Sequence, residues 1–318
     1  MLAHAFARAR ARANTGEGAH DGLARPIEPA GRTDGPDVGF CSSALGAGCS
    51  SQWAPGPTIV VPVGQSLEID LTNNLPTPTS VVILGQWGGG VGTPNEVASP
   101  MHSPKTQTTW PANTSATFTP PTQGDRVQTF GTETAAGGTG KYTWSSLKPG
   151  TYLYETGTHP SIQAPMGLYG VVVVTTAPVL NAGTLTPGQS YPNSSAPANS
   201  TSNVPYDMDT VLLLSELDIA QNAAVDSLAV AAVKAGSAID PQAYPPAVNY
   251  APTYFLMNGK AFDRTNVNGI PWSTNFASGN ALLRFVNAGL RTHVPSAVGL
   301  NMQLIAEDGN PLPGKPRV

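Results

Sequence analysis

The segment from Lys141 to Pro178 reads KYTWSSLKPGTYLYETGTHPSIQAPMGLYGVVVVTTAP, and it decides the fold class. The Pro149–Gly150 pair marks a turn between two short runs rich in aromatic and β-branched residues. Tyr152 and Tyr154 are two residues apart, so both rings are expected on one face of a strand. The uninterrupted apolar run Val171–Val174 is typical of a fully buried strand. The segment therefore predicts successive strands of a β-domain.

Upstream of this segment, residues 56–76 (GPTIVVPVGQSLEIDLTNNLP) continue the strand pattern. Leu67, Ile69 and Leu71 alternate with polar residues, which is the period of a half-buried strand. Glycine, proline, asparagine and serine dominate residues 85–100, which predicts a long loop. Short strands at this spacing favour an all-β domain built as a Greek-key sandwich or barrel.

A second block of strands follows a polar segment, residues 179–205, whose composition predicts a linker. Within 206–318, DTVLLLSELD and NALLRFVNAGL predict strands, and DSLAVAAVKAG is compatible with a short helix. PTYFLMNGKAF predicts a hairpin, because Asn258–Gly259 is a strong signal for a two-residue turn. About four strands are visible here, against about seven in a complete sandwich, so the second domain is expected to be incomplete. The predicted organisation is a flexible tail (1–36), a first β-domain (37–178), the linker and this second domain.

Composition excludes some classes of function. Charged residues make up 11% of the 318 residues and the net charge is -4, so no basic surface is available for nucleic acid. No apolar run reaches the roughly 18 residues that a membrane helix requires. The N-terminal sequence MLAHAFARARARANT lacks the apolar centre of a signal peptide, which favours a flexible tail or a misplaced start over a targeting segment.

The cysteines Cys41 and Cys49 enclose a spacer of serine, glycine, alanine and leucine, SSALGAG. Such a spacer turns easily, which favours a small disulfide loop, and a disulfide would indicate a periplasmic or secreted protein. The alternative is a pair of free thiols in a loop. Neither cysteine has a histidine nearby, which argues against a metal or nucleophile role.

Several motifs in this order resemble the multicopper oxidases. They are PGTYLY at 149–154, Gln163, MGLYG at 166–170, RFVNA at 284–288 and AEDG at 306–309. The resemblance covers residues 55–178 and 208–312. It implies an all-β, cupredoxin-like Greek-key β-sandwich, with one complete domain and a second incomplete one.

Multicopper oxidases carry two His-x-His pairs in the first domain, and this chain departs from that pattern. Histidines two apart on a strand point to one side, so each pair can hold part of a trinuclear copper centre. The first pair falls on Gln86 and Gly88, and neither is histidine. The second falls either on Glu155 and Gly157 or on Gly157 and His159. The histidine-flanked cysteine of the family's blue-copper site lies in a later domain and has no counterpart here.

A reduced copper site remains possible at His102 and His159, with Met101 or Met166 and Glu155 nearby, because imidazole suits copper and thioether favours Cu(I). The plainer interpretation is that both histidines are ordinary loop residues, Met166 packs in the core and Glu155 is a surface carboxylate. His293 is interpreted as structural or exposed.

Two hypotheses about function follow. The first is a multicopper-oxidase-like protein that binds copper and acts as an oxidoreductase only if further domains restore a redox copper site. The second is a non-catalytic cupredoxin-like scaffold or binding module that has lost its metal. Under both hypotheses the chain is predicted to be inactive as a laccase; its small-molecule or protein partner is unknown.

Overall fold

The computed structural model describes residues 8–11, 20–23, 25–27, 37–40, 55–92, 94–99, 124–192, 203–237, 244, 250–261, 265 and 279–313. The elements up to residue 175 are β1 (Arg8–Ala11), β2 (His20–Leu23), β3 (Arg25–Ile27), β4 (Asp37–Gly39), β5 (Ile59–Pro62), β6 (Leu67–Thr72), β7 (Val82–Ile83), β8 (Asn95–Val97), β9 (Arg126–Thr129), β10 (Thr139–Trp144), β11 (Gly150–Glu155), α1 (Pro160–Gln163) and β12 (Tyr169–Thr175). The remaining elements are β13 (Val179–Asn181), β14 (Thr184–Thr186), β15 (Gly188–Gln189), β16 (Pro205–Tyr206), β17 (Met208–Leu217), α2 (Ile219–Ala235), β18 (Tyr254–Met257), β19 (Lys260–Ala261), β20 (Ala281–Asn287), β21 (Ala306–Glu307) and β22 (Asn310–Pro311).

The predicted first domain, residues 37–178, contains two sheets that pack on each other, and the all-β fold expected from the strand pattern is confirmed. One has the order β5-β12-β11-β7, with β5 parallel to β12 and the other neighbours antiparallel. The other pairs β6 with β10. Leu67, Ile69 and Leu71 enter one core with Tyr152 and Tyr154, all of them buried. Full burial of one such aliphatic side chain is worth about 1.5–3 kcal/mol, so this core stabilises the sandwich.

The second domain contains a sheet of order β19-β18-β17-β20, in which β17 runs parallel to β20. The hairpin at Asn258–Gly259 is confirmed, with left-handed φ angles of 50° and 77° at the two turn residues. The helix is longer than expected, because α2 already begins at Ile219. Its start is fixed by Asp218, whose Oδ1 accepts the backbone N–H of Gln221 at 3.0 Å.

The two domains share a second core. Tyr169, Val171 and Val173 of β12 pack on Leu213, Leu217, Leu256 and Val286, which come from β17, β18 and β20. The sheet of the first domain is therefore covered on one face by its own core and on the other by the second domain. This explains why β12 is buried along its entire length.

Short strand pairs lie in two regions that the sequence did not mark as structured. Residues 179–205 contain the exposed hairpin β13–β14, and β15 pairs with β16. In the N-terminal region β1 pairs with β2, and β3 pairs with β4. The boundaries of the tail and of the linker stay expectations.

Cys41 and Cys49 lie outside the described residues, so their disulfide stays a prediction. Thiol titration of the denatured, non-reduced protein is expected to find no free thiol. The bond would add about 2–3 kcal/mol of stability, because it restricts the unfolded chain. Recovery of both thiols would contradict the pairing.

Neither helix in the described part of the chain is long and apolar enough to cross a bilayer.

Candidate functional site

His159 lies four residues after the end of the first-domain strand β11 and is the N-cap residue of helix α1. It adopts a left-handed conformation with φ 42°, and its N–H donates to the carbonyl of Gln128 at 2.8 Å. Its own carbonyl accepts the N–H groups of Ile162 and Gln163 at 2.8 and 2.9 Å. Hydrogen bonds to both its N–H and its carbonyl therefore fix the backbone of His159, and with it the position of the Cβ.

The imidazole of His159 is half-buried and packs edge-on against the ring of Tyr244, with 5.3 Å between the ring centroids. Burial lowers its pKa, Glu133 partly opposes this by raising it, and Arg126 lowers it further. The net direction favours the neutral imidazole at neutral pH, and the neutral form is the one that binds metals.

Met166 lies in a small cluster of buried apolar residues. It is buried with Ile162 and with Val225 of α2, and Tyr244 packs against the group. Tyr244 therefore contacts both this cluster and the imidazole of His159. These contacts give Met166 a clear packing role.

Glu155 ends strand β11, where it pairs in register with Tyr169. It is on the face of β11 opposite Tyr154, the face covered by the second domain. Burial raises its pKa to about 7. His102 and Met101 lie outside the described residues. Within the described ranges, no three His, Cys, Asp or Glu side chains lie close enough together to hold a metal ion.

At the first His-x-His position, Gln86 and Gly88 both contact neighbouring residues of the same domain. Gln86 is buried, its Nε2 donates to the carbonyl of Lys148, and its Oε1 accepts the Lys148 N–H, both at 3.0 Å. Gly88 has a φ of 141°, and a Cβ there would lie 2.6 Å from the indole of Trp144. No side chain fits at Gly88 unless Trp144 moves.

The second position lies in a buried hydrogen-bond network. The Oε1 of Gln163 accepts hydrogen bonds from the hydroxyls of Thr79 and Thr156 at 2.9 and 2.8 Å, and its Nε2 donates to the carbonyl of Pro78. The hydroxyl of Thr158 donates to that of Ser80 at 3.0 Å. These polar atoms form hydrogen bonds within the network, so none of them requires a metal ion as a partner.

Gly157 adds a steric restriction in this network, because a Cβ on it would lie 2.7 Å from Val82. Together with Gly88 and the engaged amide of Gln86, it leaves no room for the imidazoles of a trinuclear copper centre. The described residues therefore do not fit that group.

The sequence reasoning singled out Gln163 but missed its partners. Threonine and serine at strand ends carry no distinctive signal, and their contacts join residues far apart in the chain, such as Thr79 and Gln163. The period-2 pattern places such side chains on a face, but it does not tell which hydroxyls meet.

A cleft of about 470 Å³ lies between the two domains. Tyr152, Leu153 and Tyr191 line it from the first-domain side, and Arg284, Phe285 and Ile305 line it from the second. The hydroxyl of Tyr152 donates to the carbonyl of Gly309 at 3.2 Å and so links the domains at one end.

Comparisons with known proteins agree on the fold. No protein-family model and no curated protein matches this chain. Among solved structures it is similar to the blue copper oxidase from Nitrosomonas europaea, with 19% identity, a TM-score of 0.50, and coverage of 92% of this chain and 66% of that one. It is also similar to the multicopper oxidase mgLAC, with 18% identity, a TM-score of 0.51, and coverage of 90% and 65%. The chain thus spans about two thirds of the proteins it matches and has their cupredoxin-type fold.

Proposed function

We propose that this chain, a cupredoxin-type β-sandwich protein, binds a single copper ion beside His159 and does not reduce dioxygen. The observation that carries the proposal is the imidazole of His159, which burial favours in its neutral form and whose neighbour Tyr244 also packs against the cluster that contains Met166. An imidazole and a thioether together suit Cu(I). His102 is the further ligand that we propose, and Glu155 would be a secondary, harder donor.

Dioxygen reduction requires several coppers held together, and the described residues argue against that arrangement. Gln86 is bound to the backbone of Lys148, and Gly88 and Gly157 have no space for a Cβ. A copper ion supplies one-electron redox chemistry and Lewis acidity. The residues of this chain would orient His159 through its three backbone hydrogen bonds and shield it behind Tyr244.

A second candidate function is a metal-free binding module. The cleft of about 470 Å³ between the domains favours it, since that volume lies within the range of small-molecule sites. Its aromatic and aliphatic side chains share the lining with Arg284 and Asp308, so a small ligand that carries both apolar and polar groups would suit it. In either case we expect a periplasmic or secreted location, because the proposed disulfide requires an oxidising compartment.

The test is an anaerobic titration of the untagged, metal-free chain, with its proposed disulfide intact, using Cu(I) kept reduced by ascorbate, followed by measurement of bound copper. About one copper per chain is expected, and after oxidation to Cu(II) no intense blue band is expected, because no histidine-flanked thiolate is present. His159→Ala should abolish binding, and Met166→Leu should weaken it while preserving the core volume. His20→Ala is the matched control, since His20 on β2 belongs to neither proposed metal site.

Oxygen consumption with a phenol is expected to stay at the buffer background, with or without added copper. Three or four coppers per chain, or robust oxygen consumption, would show that the missing imidazoles are replaced by other ligands. No Cu(I) binding at all would favour the binding module.

A further inference from the structure

A buried carboxylate in the second domain has one oxygen without a partner. Glu216 lies on β17, and its side chain is 0% exposed. Its Oε1 accepts the backbone N–H groups of Leu290 and Arg291 at 2.5 and 2.8 Å. Its Oε2 has no hydrogen-bond partner in the described structure. A buried carboxylate oxygen without a hydrogen bond lowers the stability of the fold unless a positively charged group lies opposite it.

The group that faces Oε2 is the imidazole of His293. Its Nε2 is 3.8 Å from Oε2, too far for a hydrogen bond, and within the described residues it too has no hydrogen-bond partner. Two atoms that can bind a metal ion, Glu216 Oε2 and His293 Nε2, thus lie on either side of one gap. The His293 side chain is 24% exposed, so an ion could reach the gap from solvent.

The surroundings hold this arrangement in place without filling it. A Cβ at Gly289 would overlap the Glu216 carboxylate, so the loop can close on Glu216 only with glycine there. The guanidinium of Arg291 lies over the ring of Tyr250 at 5.9 Å, and it also donates to the Tyr250 carbonyl at 3.4 Å. The Tyr250 hydroxyl also faces the Glu216 carboxylate: burial, then the negative charge of Glu216, a hydrogen bond to its side chain and the charge of Asp218 raise the pKa of Tyr250, whereas Arg291 lowers it.

We infer that the gap between Glu216 Oε2 and His293 Nε2 is a binding site for a divalent transition-metal ion. Zinc bonds to histidine nitrogen and carboxylate oxygen are both about 2.0–2.2 Å, which places two such donors about 3.4 Å apart at a tetrahedral angle and about 4 Å apart at wider angles. The observed 3.8 Å falls within this span.

The donor set defines the class of ion. One imidazole and one carboxylate, without a thioether or thiolate, favour Zn(II) or Cu(II) over Cu(I). Water would complete the coordination, so the affinity is modest. This site lies in the second domain and shares no residue with the copper site proposed at His159.

The test is calorimetric titration of the untagged, metal-free full chain with ZnCl2. About one Zn(II) per chain is expected, together with a rise in the thermal midpoint of about 4 °C when zinc is present at about 100 times its dissociation constant. His293→Ala and Glu216→Gln should each weaken binding at least tenfold and abolish the thermal shift. Glu216→Gln keeps a carbonyl oxygen that can accept both backbone N–H groups, so the loop should stay closed.

His20→Ala is the matched control, because His20 on β2 belongs to neither proposed site, and it should bind Zn(II) like the unchanged chain. The inference is overturned if the unchanged chain shows no zinc-induced shift, or if both second-domain variants bind as tightly as it does. Failure of the Cu(I) proposal would leave all these outcomes unchanged, so the two proposals fail independently.

Discussion

Replacing Arg284 by alanine is expected to lower the free energy of unfolding by about 2–3 kcal/mol, because it removes a buried guanidinium together with its charged hydrogen bonds. The Arg284 side chain is 2% exposed, and its Nε donates to Asp209 Oδ2 at 2.6 Å. Its Nη1 also donates to the hydroxyl of Thr151 in the first domain at 2.9 Å. The guanidinium lies over the ring of Tyr206 at 5.4 Å. One substitution therefore removes an ion pair and a hydrogen bond between the domains.

Lys141→Ala provides the control for this prediction. Lys141 pairs with Glu68 at a similar distance, 3.0 Å, but its side chain is 59% exposed. An exposed pair is worth about 0–1 kcal/mol, because water and salt screen it. Urea denaturation followed by circular dichroism measures both variants, and equal losses would show that burial does not set the strength of the Arg284 pair. Arg284→Met should recover part of the loss, because it restores buried apolar contacts and the remaining Asp209 carboxylate is exposed to solvent.

The strands were predictable where the decisive information is local. The alternation of Leu67, Ile69 and Leu71 appears directly as buried positions in β6, and Asn258–Gly259 forms the expected turn. The early start of α2 was also readable, because Asp218 is followed three residues later by Gln221, which is a capping pattern. The predicted helix was therefore too short because it did not take this local capping pattern into account.

The candidate site was less predictable, because its contacts join distant parts of the chain. The resemblance identified Gln86 and Gly88 as departures from a copper-binding pattern. It could not show that Gln86 binds the backbone of Lys148 or that Gly88 lies against Trp144. His293 was interpreted as structural or exposed, and only the structure places it opposite Glu216, 77 positions earlier in the printed sequence.

Glu155 is expected to make stability fall as the pH rises. Burial raises the pKa of its carboxyl from 4.5 to about 7. Between these values the folded state keeps a proton that the unfolded state releases, so the free energy of unfolding decreases with rising pH across this window and levels off above it. The shift corresponds to at most about 3 kcal/mol. Since the side chain is partly exposed, about 2 kcal/mol is the expected size.

Glu155→Gln should remove this dependence and make the protein more stable than the unchanged chain by about 2 kcal/mol at pH 8, because an amide at this position is neutral at every pH. The measurement is urea denaturation at steps between pH 4.5 and pH 8. Glu96→Gln, on the exposed strand β8, is the control and should keep the pH profile of the unchanged chain. A loss of stability at pH 8 in Glu155→Gln would instead show that the ionised carboxylate has a favourable partner, which is the property required of a metal ligand.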